Sequence, residues 1–121
     1  MAQVLVVDDS PTEIHVLKTI LEKNGHQVVS AENAEEGIKQ AKAIAPALIL
    51  MDVVMPGMNG FQATRALSKD PQTQHIPIII VTTKDQETDR VWGMRQGAKD
   101  YLTKPVDEAE LMQKIGTILG S

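Results

Sequence analysis

The 121-residue sequence contains no cysteine, which excludes disulfide scaffolds, iron–sulfur centres, zinc–thiolate sites and thiol nucleophiles. Aromatic side chains are nearly missing as well. Phe61, Trp92 and Tyr101 are the whole supply, too few to build a stacking platform for flavin, nucleobase or sugar. No apolar run approaches the roughly 18 residues of a membrane span, and Met1-Ala2-Gln3 passes into Val4 without a basic secretory leader. Excess positive charge is absent too: 12 Lys and Arg face 16 Asp and Glu, a net charge of −4 without the footprint of a nucleic-acid binder. What is present, 42% hydrophobic and 23% charged residues, is ordinary for one small globular core. The expectation is a single domain over residues 1–121 with no output domain attached, cytoplasmic and monomeric, with neither nucleic acid nor membrane as partner.

Short β-branched runs alternate with helical patterns. Val4–Val7, Val28–Val29, Ala47–Met51, Ile78–Val81 and the weaker Tyr101-Leu102 are continuous rather than alternating, as strands buried on both faces should be. Between them, Ser10-Pro11-Thr12-Glu13 offers an N-cap, an N1 proline and a capping-box glutamate, and Gly25 a stop. Asn33 with Glu36 opens a second helix that presents Ile38, Ala41 and Ala45 on one face. A third follows Asn59-Gly60, a fourth runs from about Asp85 to Gln96, and a fifth starts at Asp107 with a Val106–Leu111 staple. Five strand–helix units predict a doubly wound α/β fold of the flavodoxin-like type, (βα)5, with a parallel sheet in the order 2-1-3-4-5.

In that topology ligands bind at the C-terminal strand edge. The residues there are Asp8-Asp9, Asp52, Thr82-Thr83 and Thr103-Lys104-Pro105. A lone Asp after a strand is normally a turn or cap residue. Here Ser10 already serves as the cap, and three carboxylates gathered in one crevice repel one another unless a cation compensates. Oxygen-only ligands suit Mg²⁺. A carboxylate beside such a metal, with Lys104 and a threonine hydroxyl, is a phosphoryl-transfer constellation in which Asp acts as nucleophile. There is no Walker A loop, and Gly57 and Gly60 do not make GxGxxG, so nucleotide binding is not expected. The scattered His15, His26 and His75 and the six methionines read as ordinary surface, loop and core residues.

These residues resemble the receiver domain of two-component response regulators, the CheY-like family. VLVVDDS at Val4–Ser10, LILMDVVMPGMNG at Leu48–Gly60, IIIVTT at Ile78–Thr83 and GAKDYLTKP at Gly97–Pro105 carry the resemblance, and it covers the entire chain. By position it implies Asp52 as phosphoacceptor, Asp8 and Asp9 as the acidic pair that orders Mg²⁺, and the Val54 backbone carbonyl as a further metal ligand. It implies Thr82 as switch hydroxyl, Lys104 as the phosphate-contacting lysine, Tyr101 as the aromatic that changes rotamer, and a cis Lys104-Pro105 bond. The segment Thr82–Glu108, together with SPTE and MPGMNGFQATR, is similar to stand-alone receivers of the PilH type. That similarity implies a CheA-like sensor histidine kinase as phosphoryl source, a downstream motility protein as partner, and a pathway of type IV pilus, twitching or phototactic motility.

Three functions compete on these residues. The first is a phosphorylation-controlled binding module, whether it drives an output or only drains phosphate from a shared kinase. A Mg²⁺-dependent aspartyl-nucleophile phosphatase of the haloacid-dehalogenase type needs a second acid two residues past its nucleophile, and that position is Val54. A flavin carrier would meet repulsion from the acidic loop after the first strand. The reading is therefore a signalling module and not a turnover enzyme. Further expectations follow. Removing Asp8 or Asp9 should stabilise the metal-free protein. Val54 and Lys84 should slow dephosphorylation, with Lys84 turned toward the phosphate. The fourth helix should bury Val91 and Met94, leaving Trp92 exposed as a partner anchor on a surface shared with the fifth strand and fifth helix.

Overall fold

The computed structural model describes residues 2–120; Met1 and Ser121, the ends of the expected 1–121 domain, lie outside the described residues. The elements run β1 (Gln3–Val7), α1 (Pro11–Lys23), β2 (Gln27–Ala31), α2 (Ala34–Ile44), β3 (Leu48–Met51), α3 (Gly60–Lys69), β4 (Ile78–Thr82), α4 (Glu87–Arg95), β5 (Asp100–Thr103) and α5 (Glu108–Leu119). All pairings are parallel, and the sheet order is β2-β1-β3-β4-β5.

The unbroken apolar runs have a direct cause. Side chains alternate between the faces of a strand, so a strand covered on both sides needs apolar residues at every position. Val4 and Val6 join Leu48, Leu50, Ile79 and Val81 under α1 and α5, where Leu17, Leu21, Leu111 and Ile115 complete one core. Leu5 and Val7 point the other way with Ile49, Met51 and Ile78, beneath α2 and α3. The edge strand β2 departs from the expectation, since only Ala31 is buried in it. It has no second neighbour, and water reaches its outer residues.

Helix starts follow local chemistry. The side chains of Ser10, Asn33, Asn59 and Asp107 each accept from the backbone N–H three residues on, satisfying an otherwise unpaired donor. Only at Asn59 is the exchange reciprocal, through Gln62. Gly25 follows α1 at φ +88°, a left-handed position that costs glycine little. Ala45, expected on the inward face of α2, is instead its exposed C-cap, at φ +46°. There it turns the chain out of the helix toward Pro46.

The largest departure is α4. Val91 and Met94 are exposed, and the helix turns Gly93 inward together with the buried Gln96 that follows it. Gly93 is there because nothing larger fits: a Cβ would come within 2.8 Å of Ile80 Cδ1 and 3.2 Å of the Tyr101 ring. Gly93, costly inside a helix on propensity alone, is a close-approach residue.

Candidate functional site at the C-terminal strand edge

The pairing of β1 with β3, Val7 opposite Met51, sets Asp8 and Asp52 side by side as each strand ends. Backbone bonds hold both. Asp52 N–H donates to the Val7 carbonyl at 2.9 Å, and Asp8 N–H donates to that of Ala31 at 3.1 Å. Carboxylate oxygens of Asp8, Asp9 and Asp52 lie within 4.8 Å of one another. From the end of β5, Lys104 Nζ reaches Asp8 Oδ2 at 2.7 Å and Asp52 Oδ2 at 3.4 Å. The Lys104–Pro105 peptide bond is cis.

The two adjacent aspartates are not equivalent. Asp8 is buried, bound to Lys104 and accepting from the Ser10 N–H at 2.9 Å. Asp9 is exposed. Asp52 is 7% exposed, with Oδ1 accepting from the Val53 N–H at 2.7 Å. Burial first, then the negative charge of Asp8, pushes the Asp52 carboxyl above its ordinary range. The Lys104 charge, the Val53 N–H and the Thr82 hydroxyl pull it partly back. Burial works against the Lys104 ammonium, but its hydrogen bond to Asp8 and the charges of Asp52, Asp8 and Glu13 outweigh that and raise its pKa.

This donor set fits a small hard cation. The three carboxylates supply oxygen alone, their mutual repulsion rewards a divalent charge, and Asp9 opens the site to water that Mg²⁺ prefers to keep.

Around the carboxylates, Thr82 is fully buried, and its Oγ1 accepts from the Lys84 N–H at 3.5 Å. Tyr101 is already inside. Its ring is buried against Val53, Phe61, Ile80 and Ala98, its hydroxyl donates to the Lys84 carbonyl at 2.7 Å, and the Arg90 guanidinium lies 5.5 Å from the ring centre. An inward turn from an outer position, implied by the expected rotamer change, does not start from the arrangement seen here. Lys84, expected to turn toward the phosphate, here has its ammonium 3.8 Å from Asp89. The side chain of Val54 is 58% exposed, at the mouth of a groove it shares with Trp92, itself 51% exposed.

Two site residues escaped the sequence reading. Glu13 Oε1 lies 3.9 Å from Lys104 Nζ, placed there by the first turn of α1, for which only its position three residues after the Ser10 cap was a signal. Gly60 packs so tightly beneath the loop after β3 that a Cβ would stand 1.8 Å from the Asp52 carbonyl oxygen. Nothing in its neighbourhood in sequence signals that contact.

A five-stranded parallel sheet with an acidic triad and a lysine at its switch point is the architecture of a receiver, and residues 4–116 match the family model of the response regulator receiver domain. The chain belongs to that family. It is 62% identical to Protein PilH of Pseudomonas aeruginosa over 98% of both chains, a stand-alone receiver. It is 38% identical to response regulator PleD of Caulobacter vibrioides over 97% of its own length but only 26% of that protein. Among solved structures, a response regulator of Chloroflexus aurantiacus superposes with TM-score 0.94 at 30% identity, covering 99% of this chain and 98% of that one. The receiver domain of a Pseudomonas aeruginosa sensor histidine kinase, with a magnesium ion coordinated in its active-site cleft, gives TM-score 0.91 at 29% identity over 99% and 98%. Receivers are signalling modules of two-component systems, phosphorylated and then altered in partner affinity, rather than turnover enzymes. Among the described residues no helix is long and apolar enough to cross a membrane.

Proposed function

We propose that this chain is a single-domain response regulator that accepts a phosphoryl group on Asp52 from a CheA-like histidine kinase. On this reading it passes the signal to a motility protein in a type IV pilus or twitching pathway. The observation that carries the reading is the Asp52 carboxylate seated between Asp8, Asp9 and the Lys104 ammonium. The 62% identity to Protein PilH supports the pathway.

Asp8, Asp9 and Asp52 would hold Mg²⁺, with the Val54 carbonyl as a further ligand. When bound, the ion would supply charge neutralisation for the oxygens of the transferring phosphoryl group. The chain's own residues do the rest. The Val53 N–H fixes Asp52 Oδ1, so that one carboxylate geometry meets the phosphorus. A bond forms from the Asp52 oxygen to phosphorus as the bond from phosphorus to the donor's leaving group breaks. Lys104 stands ready to follow the new negative charge, because it already bridges Asp8 and Asp52. The Thr82 hydroxyl, buried beside the same carboxylate, turns toward the phosphoryl oxygens. Its N–H donor, Lys84, carries the carbonyl that anchors Tyr101, and this links the chemistry to the surface of α4, β5 and α5.

The test is mass spectrometry after incubation with Mg²⁺ and acetyl phosphate. The parent should gain one phosphoryl group per chain, and Asp52→Asn should gain none while keeping the parent's circular dichroism. An adduct of equal yield on Asp52→Asn, or continuous phosphate release without an adduct, contradicts the reading. For the pathway, Asp52→Asn in place of the native gene should alter twitching.

A further inference from the structure

Charge is spread unevenly along this acidic chain. Residues 60–69 and 90–99 contain Arg65, Lys69, Arg90, Arg95 and Lys99 and no acid, leaving seven basic residues against all 16 acids elsewhere. All five of these side chains are exposed. The two segments are α3 and the C-terminal half of α4 with its following turn, and they meet in the fold. Gly97 passes so close to Ser68 that a Cβ there would come 2.1 Å from the serine oxygen. Basic residues thus flank the seam between α3 and α4, apart from Arg90, which turns to the Tyr101 ring.

Among the described residues, Val16, Val54, Val91, Trp92 and Met94 are the exposed large hydrophobics, and two of them, Val54 and Trp92, line a groove beside this seam. Between the loop after β3 and α4 runs an open groove of about 520 Å³, with Val53, Val54, Asn59, Phe61 and Trp92 in its walls and Lys84 its sole charged residue. Phe61, Arg65 and Ser68 fall on one stripe of α3 at helical spacing. Arg65 therefore stands between the groove and the contact with Gly97. On α4, Arg95 lies one turn beyond Trp92.

We propose that this groove docks an acidic, amphipathic segment of a partner protein, with one apolar side chain beside Trp92 and carboxylates toward Arg65, Lys84 and Arg95. Charge complementarity selects the partner. Arg65 and Arg95, each one turn past the groove residues Phe61 and Trp92, give the apolar slot a cationic rim at that end, while Lys84 is shared with Asp89 and Glu35 lies beside Gly57. On a chain of net charge −4 this local exception steers an anionic ligand to one place. Concavity argues for a peptide over an anionic bilayer, since a flat surface reaches the rim but leaves the slot unfilled. An exposed tryptophan among neutral contacts is the residue type that concentrates binding energy.

The proposal rests on the phosphoacceptor reading in one respect, the coupling of docking to signal. The groove wall includes Val53, whose N–H binds Asp52, and Lys84, whose carbonyl holds Tyr101. Modification of Asp52 and occupancy of the groove thus bias the same side chains, and each alters the other.

A random peptide library panned on the parent protein tests this, with binding followed by the anisotropy of a dye-labelled peptide and, in chains that keep it, by emission from Trp92, the sole tryptophan. Enriched peptides should carry acids flanking an apolar residue, shift the emission and bind more weakly as salt rises. Arg65→Glu and Arg95→Glu, both exposed and expected to keep the parent's Tm, should each lose about tenfold in affinity, and Trp92→Ala should lose at least as much. Several outcomes overturn the proposal. These are peptides without acidic enrichment, affinities indifferent to charge reversal, emission moved by vesicles rich in anionic lipid but not by acidic peptides, or sedimentation showing a self-associated chain that charge reversal dissolves. Phosphoryl uptake is measured on the same samples. A missing adduct with intact peptide binding overturns the phosphoacceptor reading alone, and an adduct that leaves peptide affinity unchanged overturns the coupling.

Discussion

The two ends of the signalling route are built on opposite principles. At the carboxylate edge, Asp8 and Asp52 are buried, each is tied by its backbone to a neighbouring strand, and Lys104 closes over them. On α4, Gly93 is the one buried residue of the helix, and the large side chains face outward. The difference is physical. A site that must offer one geometry to a phosphorus atom gains from strands whose positions the whole core determines. A surface that must change with modification gains from a helix with little apolar burial, because small energies then suffice to move it.

Two glycine substitutions test that contrast most strongly. Gly60→Ala drives a Cβ to 1.8 Å from the Asp52 carbonyl oxygen, where backbone must yield, so a loss of about 3 kcal/mol or more is expected, together with failure of phosphorylation. Gly93→Ala meets the end of Ile80 and the Tyr101 ring at 2.8 and 3.2 Å, groups able to shift. It also removes a helix glycine, worth about 1 kcal/mol in its favour, so its net cost should be near 1 kcal/mol. Urea denaturation of both variants checks this. Equal losses would dissolve the distinction between a rigid edge and a yielding helix.

Asp8 and Asp9 sharpen the comparison within the edge itself. Both were expected to be stabilising when removed, on the ground of repulsion. The structure separates them. Without divalent ions, Asp8→Ala breaks a 2.7 Å ion pair and a backbone cap, and should cost about 2–3 kcal/mol, the weight of charge-assisted bonds to a buried group. Asp9→Ala removes an exposed acid and should fall within about 0.5 kcal/mol of the parent or slightly above it. Thermal melts with and without Mg²⁺ decide, and both variants should lose the stabilisation that Mg²⁺ gives the parent.

That pair also shows where sequence reasoning reaches its limit. The strands, caps, sheet order and the gathering of Asp8, Asp9, Asp52, Thr82 and Lys104 were legible because each follows from local pattern plus one topological rule. Which of two adjacent aspartates points inward depends on the loop's path, which no periodicity encodes. The orientation of α4 eludes pattern for a different reason: Val91 and Met94 read as inward because apolar residues normally are, yet both are exposed. Here the space beneath the helix admits only Gly93, a fact held by Ile80 and Tyr101 in two strands. Lys84 reads as a phosphate ligand from its place two residues past Thr82, and that spacing gives no sign of the ion pair it makes with Asp89, five residues on.

Tyr101 joins the two regions, and as the sole tyrosine it can be watched directly. Burial, then the charge of Asp89, raises its phenol from 10.0 to about 12, with Arg90 pulling the other way. The folded state therefore keeps this proton where the unfolded chain would lose it. Its contribution to stability is full below pH 10 and is lost as pH rises through about 12. Phenolate absorbance should rise late in the folded protein and near pH 10 in urea. Arg90→Met removes the one opposing cation and should move the folded transition further up. A phenol titrating at its ordinary pH in the folded chain would mean that Tyr101 rests outside, and the link between edge and helix would fail.

The smallest effect is the most discriminating for the α4 surface. Trp92 is 51% exposed and contributes no side chain to the cores beneath the sheet. If it belonged to the fold's stability, truncation would cost the 3–5 kcal/mol typical of a buried aromatic. Its exposure predicts that Trp92→Ala stays within about 0.5 kcal/mol of the parent and takes up phosphoryl at the parent's rate. The emission maximum of the parent should lie near that of tryptophan in water and move to the blue only when a ligand covers the ring. A stability loss of core size in Trp92→Ala would place the indole in the packing after all, and the division between a built edge and an available helix face would have to be redrawn around α4.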